Sequence, residues 1–386
     1  MSEMSAYVRA GEAARLLGVS TSTLYAYVSR GRISRRKAPD GRSSLFALDE
    51  IEQLANRTRR EPLPPRPTID VQIASRVTSL TDDAVRLRGH LLADLVADHH
   101  FEDVAELLWS GRSPERPTSW PPIDTADRAA CAPIDDFERI GDVVRMEMAA
   151  EVLGADHPDD DGPAAARRLL CTVPHVLGAS RRTGSYATRV ASIWRRRPSE
   201  PLVRAIDVAL MALADHELAT STLAARVAAS VRSSPYGAFV AGLAAVEGAL
   251  HGSASSLAHR FLEECASDEP AAVIRRYRQR AQRIPGFGHK VYRGRDPRFD
   301  VIMTAVRDLP VDRERLAFVD VVVAEIGRTL PEHPNVDMAL GAMTWVEQLR
   351  PDIPVFAIAR IAGWGAHYAE ELEEPPVRYR GLARTP

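Results

Sequence analysis

Between Pro285 and Arg298 the chain reads Pro-Gly-Phe-Gly-His-Lys-Val-Tyr-Arg-Gly-Arg-Asp-Pro-Arg, and three kinds of chemistry meet in that run. Gly286 and Gly288 carry no Cβ, so backbone there can approach a ligand closely. His289 can donate a hydrogen bond to a carbonyl or carry a proton near neutral pH. Arg298 can clamp a carboxylate with two parallel hydrogen bonds. Together these are the parts needed to hold a small 2-oxo acid.

Four further segments set polar groups in apolar surroundings. They are Ala214-Asp-His-Glu-Leu218, Glu247-Gly-Ala-Leu-His-Gly-Ser-Ala254, Pro334-Asn-Val-Asp-Met338 and Phe356-Ala-Ile-Ala-Arg-Ile-Ala-Gly-Trp364. They contribute His216, His251, Asp337 and Arg360. Taken singly, each has a plain structural explanation. A histidine beside a helix is usually a satisfied structural residue, and Asp337, close after Asn335, reads as part of a short polar turn. A buried arginine usually neutralises a nearby carboxylate. No HExxH or GxxxxGK[ST] pattern is present, so neither a zinc-protease helix nor a nucleotide-hydrolysing loop is expected, and no metal site is predicted.

The elements that must position these groups read as helices. Ile206, Leu210 and Leu213 recur at helical spacing, and Val240–Leu250 is rich in alanine. Asp320–Ile326 alone could pass for a strand, but its flanks favour a buried helix segment. His157–Gly162 reads as a connection between helices. The body from about residue 68 is therefore predicted all-α. Residues 1–60 read differently. A helix over Ala10–Leu17 ends at Gly18, Ser20 is a good N-cap, and a second helix runs from Thr21 to about Arg30. Ile33–Lys37 and Ser43–Leu48 form a hairpin around Pro39-Asp-Gly41, and another helix starts at Asp49. Residues 61–67 are a proline-rich, extended linker.

The 386 residues allow two or three domains, and no apolar run is long enough for a transmembrane helix. The start of the chain is no secretory signal. Cys131, Cys171 and Cys265 are far apart and form no CxxC pair, so a reduced, cytoplasmic protein is expected. Residues 1–60 hold 11 Lys+Arg against 6 Asp+Glu, a net of +5, while the rest of the chain carries −7. A basic head on an acidic body points to nucleic acid for the head alone.

The order of residues 6–60 resembles the winged helix-turn-helix of MerR/excisionase-type DNA-binding domains. Thr21, Ser22, Thr23 and Tyr25 on the second helix are candidate DNA contacts, with Arg30, Arg32, Arg35, Arg36 and Arg42 as phosphate contacts. From Arg76-Val-Thr through Val85-Arg-Leu-Arg-Gly89 and Phe101-Glu-Asp-Val-Ala-Glu-Leu-Leu108 to Tyr379-Arg-Gly381, the chain resembles citrate synthases. The polar segments above occur in that family's order. The resemblance implies an all-helical homodimer, with a large domain over 68–251 and 346–386 and a small domain over 252–345 that closes on the ligands. It implies no bound cofactor, a coenzyme A ester as one substrate and oxaloacetate or a related keto-acid as the other. Asp337 would be the base that deprotonates the acyl methyl group. His251 would donate to the thioester oxygen, and His289 would polarise the ketone. His216, Arg298 and Arg360 would hold carboxylates. Ile284, Pro285, Gly286, Phe287 and Gly288 would lie along the coenzyme A adenine.

Two positions depart from the family pattern. Ala219 stands where members commonly carry asparagine. Glu374-Pro-Pro-Val-Arg-Tyr-Arg-Gly381 replaces Arg-Pro-Arg-x-x-Tyr-x-Gly, so Glu374 and Pro376 take the places of two arginines, one of which reaches across the dimer in the family. Arg378 or Arg380 could compensate from a shifted register. Two functions follow: a citrate or 2-methylcitrate synthase-like acyltransferase, or a DNA-binding regulator whose body senses a coenzyme A ester or keto-acid with little turnover.

Overall fold

The computed structural model describes residues 7–17, 19–38, 43–47, 50, 51, 54, 73–137, 139–248, 252, 254–292 and 294–379. They fall into two compact units, one within Met1–Gln72 and one within Ile73–Pro386. The expected turn at Pro39–Gly41, the linker at 61–67, Gly18 and Arg42 lie outside the described residues.

In the first unit, helix α1 (Ala10–Leu17) and helix α2 (Thr21–Ser29) form the expected pair. Ser20 caps α2 by accepting from the Thr23 backbone N–H at 3.2 Å. Strand β2 (Arg35–Lys37) pairs antiparallel with β3 (Ser44–Ala47), as the hairpin reading requires. A third strand, β1 (Tyr7–Arg9), adds to the other edge of β3 and was not foreseen. Ala13, Leu24, Ile33, Phe46 and Ile51 form a small buried core, and Glu50, Ile51 and Leu54 are helical.

Among its described residues the second unit is helical, as the sequence leads one to expect, with one small sheet added near its start. Strands β4 (Thr78–Leu80), β5 (Val85–Leu87) and β6 (His90–Leu91) are antiparallel and consecutive. Val85 and Leu87 are buried while Arg86 is exposed, a period of two that a three-residue strand barely displays. The β5–β6 turn has positive φ at both Arg88 and Gly89, the two-residue geometry that matches strand twist.

Helix α3 (Leu92–Asp98), helix α4 (Phe101–Ser110) and helix α5 (Thr125–Cys131) follow the sheet. Next come α6 (Asp142–Asp156) and α7 (Gly162–Val176), joined by the predicted 157–162 connection, with Asp161 as N-cap. After α8 (Tyr186–Ala191) comes α9 (Glu200–Leu213), in which Ile206, Leu210 and Leu213 are fully buried. Helices α10 (Thr220–Ser230) and α11 (Pro235–Glu247) pack as a pair. Helix α12 (Ala254–Ser267) and α13 (Pro270–Gln279) precede the glycine-rich run. Helix α14 (Pro297–Arg307) lies against α9 and against α16 (Val336–Val346), and α12 also packs on α16. Helix α15 (Arg313–Thr329) contains 320–326 as helix, with Val322 and Ile326 buried and Val321 exposed on the opposite face. Helix α17 (Val355–Leu372) is central and almost wholly buried, touching α4, α7, α9, α10 and α11. No helix among the described residues is long and apolar enough to cross a membrane, and all three cysteines are free and buried.

Candidate active site

The glycine-rich run and the Pro334–Met338 segment are laced together. Gly288 N–H donates to His333 O at 2.9 Å, Asn335 N–H to Gly286 O at 2.9 Å, and Asn335 Nδ2 to Gly288 O at 2.8 Å. Gly286 has φ +79°, and a Cβ there would meet Met338 Cβ at 2.8 Å, so both the conformation and the space require glycine. Asp337 is not in a turn, which corrects the sequence reading. Asn335 N-caps α16, its side-chain oxygen accepting from the N–H of Asp337 and of Met338. The Asn that suggested a turn instead starts a helix, and Asp337 sits in its first turn. Burial pushes the Asp337 carboxyl up to about 6 against the pull of Arg298.

Arg298 begins α14, where its Nε and Nη2 bind the two oxygens of Asp296 at 3.0 and 2.8 Å. Despite the cost of burial, Arg298 holds the Asp296 carboxyl below its usual range. Asp296 also accepts from Val336 N–H at 3.1 Å, joining the arginine to the start of the helix that carries Asp337. The sequence reading gave Asp296 no role. Its place two residues before an arginine was the available signal.

His289 accepts at Nδ1 from the backbone N–H of Val291 at 3.0 Å. That contact assigns the proton of the neutral ring to Nε2, which lies 3.3 Å from Arg298 Nη2. Two donors thus converge with no acceptor between them. Burial and then Arg298 lower the His289 pKa, keeping the ring neutral at pH 7. His216 is buried, with Nε2 2.8 Å from Tyr292 Oη and its ring 5.4 Å from that of His289. Burial, Arg298 and Arg360 together lower the His216 pKa well below the usual value. Tyr292 is a lining residue the sequence reading passed over, although it lies inside the same run.

Arg360 on α17 is 0 % exposed. Its Nε donates to Leu213 O at 3.0 Å and its guanidinium lies 4.6 Å from the Phe356 ring centroid. Nη1 and Nη2 have no hydrogen-bond partner among the described residues. Arg298 lies within electrostatic reach of His216, His289, Asp337 and Arg360, and His216 also feels Arg360 and His289. His251 lies outside the described residues, between the end of α11 and the start of α12. In the 284–288 loop Ile284, Gly286 and Phe287 are buried, and Pro285 and Gly288 are partly exposed.

Ala219 occupies the N-cap of α10 with no side-chain bond to the helix end. At the C-terminus Arg378 places Nε and Nη2 on Glu371 at 2.8 and 2.6 Å, with Glu374 3.6 Å from its Nη1. Arg378 is thus committed within its own chain, and Arg380 lies outside the described residues. In the first unit, Thr21, Ser22 and Arg30 are exposed and Tyr25 packs edge-on against Phe46. The hydroxyls of Ser22 and Thr23 turn to Ser20 at 2.7 and 2.9 Å.

Comparison with known proteins agrees with this layout. The family described as citrate synthase, C-terminal domain, matches residues 70–380, and a helix-turn-helix domain family matches residues 7–59. A 2-methylcitrate synthase from Mycobacterium tuberculosis is 29 % identical over 335 residues, covering 78 % of this chain and 84 % of the relative. A citrate synthase from Mycolicibacterium smegmatis is 28 % identical over 336 residues, covering 78 % and 89 %. The crystal structure of citrate synthase from Thermotoga maritima aligns with a TM-score of 0.71 at 21 % identity over 84 % of this chain and 95 % of the other. The Thermoplasma acidophilum citrate synthase, solved as a ternary complex with carboxymethyl coenzyme A and oxaloacetate, aligns with a TM-score of 0.68 at 23 % identity, over 82 % and 95 %. With a family match that spans residues 70–380, the chain belongs to the citrate synthase family.

Proposed function

We propose that the protein condenses a short acyl-CoA, acetyl or propionyl, with oxaloacetate or a related 2-oxo acid. The observation that carries this reading is Arg360, a fully buried guanidinium whose two amino groups meet no acceptor among the described residues. A buried unpaired cation is costly, so its retention beside two neutral histidines and a second arginine marks an anion site. In the condensation, Asp337 takes a proton from the acyl α-carbon while His251 donates to the thioester oxygen, stabilising the enolate. The enolate carbon bonds to the ketone carbon, and His289 donates from Nε2 to the ketone oxygen as it becomes an alkoxide. His216, Arg298 and Arg360 hold the carboxylates. Water then cleaves the thioester, releasing free coenzyme A and the hydroxy-acid, and no cofactor enters the reaction.

Residues 284–288 lie along the coenzyme A adenine in this reading, and 252–345 close over the ligands as the small domain. The exposed stripe Leu223, Val227 and Val231 on α10 and its end supports a homodimer. A free-thiol assay with acetyl-CoA or propionyl-CoA and oxaloacetate tests the proposal. Thiol release dependent on both substrates is expected, and its absence with every short acyl-CoA rejects a condensing enzyme.

One observation favours a second reading, a DNA-binding regulator with a ligand-sensing body. Strand β2 exposes Arg35, Arg36 and Lys37 in succession, next to exposed Arg30 and Arg32. Such a strand suits phosphate contact and predicts salt-dependent binding. A gel shift with the full chain on its own upstream DNA should be lost when Arg35, Arg36 and Lys37 become alanine. Binding that ignores both salt and this change rejects the reading.

A further inference from the structure

Five consecutive residues, Leu213 to Glu217, are held from three parts of the chain: α17, strand β4 and Tyr292. Leu213 O accepts from Arg360 Nε, and Ala214 O from Gly363 N–H at 3.0 Å. Asp215 accepts from Thr78 Oγ1 at 2.6 Å, and Asp215 Oδ2 is 3.3 Å from His367 Nε2. His216 meets Tyr292, and Glu217, at φ +49°, accepts from Leu80 N–H at 2.9 Å. This segment both carries His216 and anchors Arg360.

His367 links that clamp to the end of the chain. Its Nδ1 lies 2.9 Å from Arg226 Nη1, an obligate donor, so Nδ1 accepts and Nε2–H points to Asp215. Arg226 continues to Glu370 and Glu371, both at 2.7 Å. Glu371 in turn receives Arg378 twice and Tyr379 Oη at 3.0 Å. Every group from Asp215 to Glu371 is buried, so little water competes with these contacts.

We propose that His367 is a positioning residue for the oxo-acid site, and that the C-terminal segment, latched on Glu371 through Arg378 and Tyr379, keeps it in place. The inference rests on the condensing reading only for the identity of the ligand. Closing the latch fixes Glu371, Glu371 fixes Arg226, and Arg226 fixes the tautomer and tilt of His367. His367 then holds Asp215, and with it the adjoining His216 and the carbonyl that orients Arg360. Oxo-acid affinity is therefore coupled to a segment that need not touch the ligand.

The test uses the full-length protein, titrated with oxaloacetate without acyl-CoA and assayed separately for thiol release. Arg378→Gln and Tyr379→Phe alter the partly exposed end of the network. Each should weaken oxaloacetate binding and raise its KM about five- to tenfold, on the scale of one lost hydrogen bond, with kcat and the acyl-CoA KM within about twofold of the native values. His367→Gln, which retains an acceptor toward Arg226 and a donor toward Asp215, should stay nearer the native affinity than His367→Leu. If His367→Leu does not fold, the two tail variants decide. Folded tail variants that bind oxaloacetate as the native protein does overturn the proposal. So does a loss confined to thermal stability or to kcat, or a native protein that does not bind oxaloacetate. Binding that weakens in the variants, in a protein that releases no thiol, upholds the positioning role and rejects the condensing reading.

Discussion

Replacing Arg360 with methionine separates a ligand-holding arginine from a structural one by the sign of its effect. The side chain is fully buried, and among the described residues Nη1 and Nη2 are unpartnered while Nε donates to Leu213 O. Burial pulls its pKa down to about 10 from 12.5, with Asp215 opposing and Arg298 adding to the drop. That lowering corresponds to a penalty on the order of 3 kcal/mol on the charged form in the ligand-free protein. Methionine removes the penalty, keeps most of the volume, and forfeits the Leu213 bond and its satisfied carbonyl at about 1–2 kcal/mol. The ligand-free variant should therefore be as stable as the native protein or up to about 2 kcal/mol more stable. Oxaloacetate binding should weaken by about 2–5 kcal/mol, or roughly 30-fold to several thousandfold, through the loss of two charge-assisted bonds at a desolvated site. Urea denaturation with and without oxaloacetate, together with calorimetric titration, measures both quantities. A ligand-free variant destabilised by about 3 kcal/mol or more, with oxaloacetate affinity intact, would refute the reasoning and make Arg360 a structural residue.

Four other outcomes are expected. As the base of the proposed condensation, Asp337 would act only when ionised, and with its pKa raised to about 6 thiol release should fall about tenfold per pH unit below that value and level off above it. The same raised value means that its contribution to stability is full below the ordinary 3.8 and lost as pH rises through about 6, so Asp337→Asn should gain stability over the native protein at pH 7 but not at pH 3, in urea titrations. Gly286→Ala should lower stability by about 1–3 kcal/mol and weaken acyl-CoA binding, because it combines positive φ with a 2.8 Å approach to Met338, and equal denaturation midpoints would contradict this. Ala219→Asn should supply the missing N-cap of α10 and raise stability by about 1 kcal/mol, seen as a higher urea midpoint at unchanged slope.

What the sequence showed depended on the range over which each signal acts. The Ser20 cap, the α9 periodicity and the helical character of 320–326 are local and could be read directly. The convergence of His216, His289, Arg298 and Arg360 was legible only through family resemblance, since the four come from three elements far apart in sequence. Asp337 was misplaced because Pro-Asn before an Asp carries the same local preference for a turn as for a helix start, and the packing of α16 decided between them. The β4–β6 sheet escaped because strands of two and three residues show almost no alternation. The partners of Asp215 could not be foreseen at all: His367 is 152 residues away, and nothing in either segment specifies the other.

The stitching of Gly286–Gly288 to His333–Asn335, with Asp296 tied to both Arg298 and Val336, also has a mechanical consequence. His289, Arg298 and Asp337 ride on one stiff body, whereas Arg360 belongs to the central helix. If the helical body breathes, the spacing between His289 and Asp337 should stay constant, and the gap to Arg360 should open and shut. Amides of Gly288, Asn335 and Val336 should then exchange with deuterium as one cooperative set, slower than the bare loops around them. Mutations that retune which acid is admitted would act across that moving gap and leave the proton-transfer geometry alone.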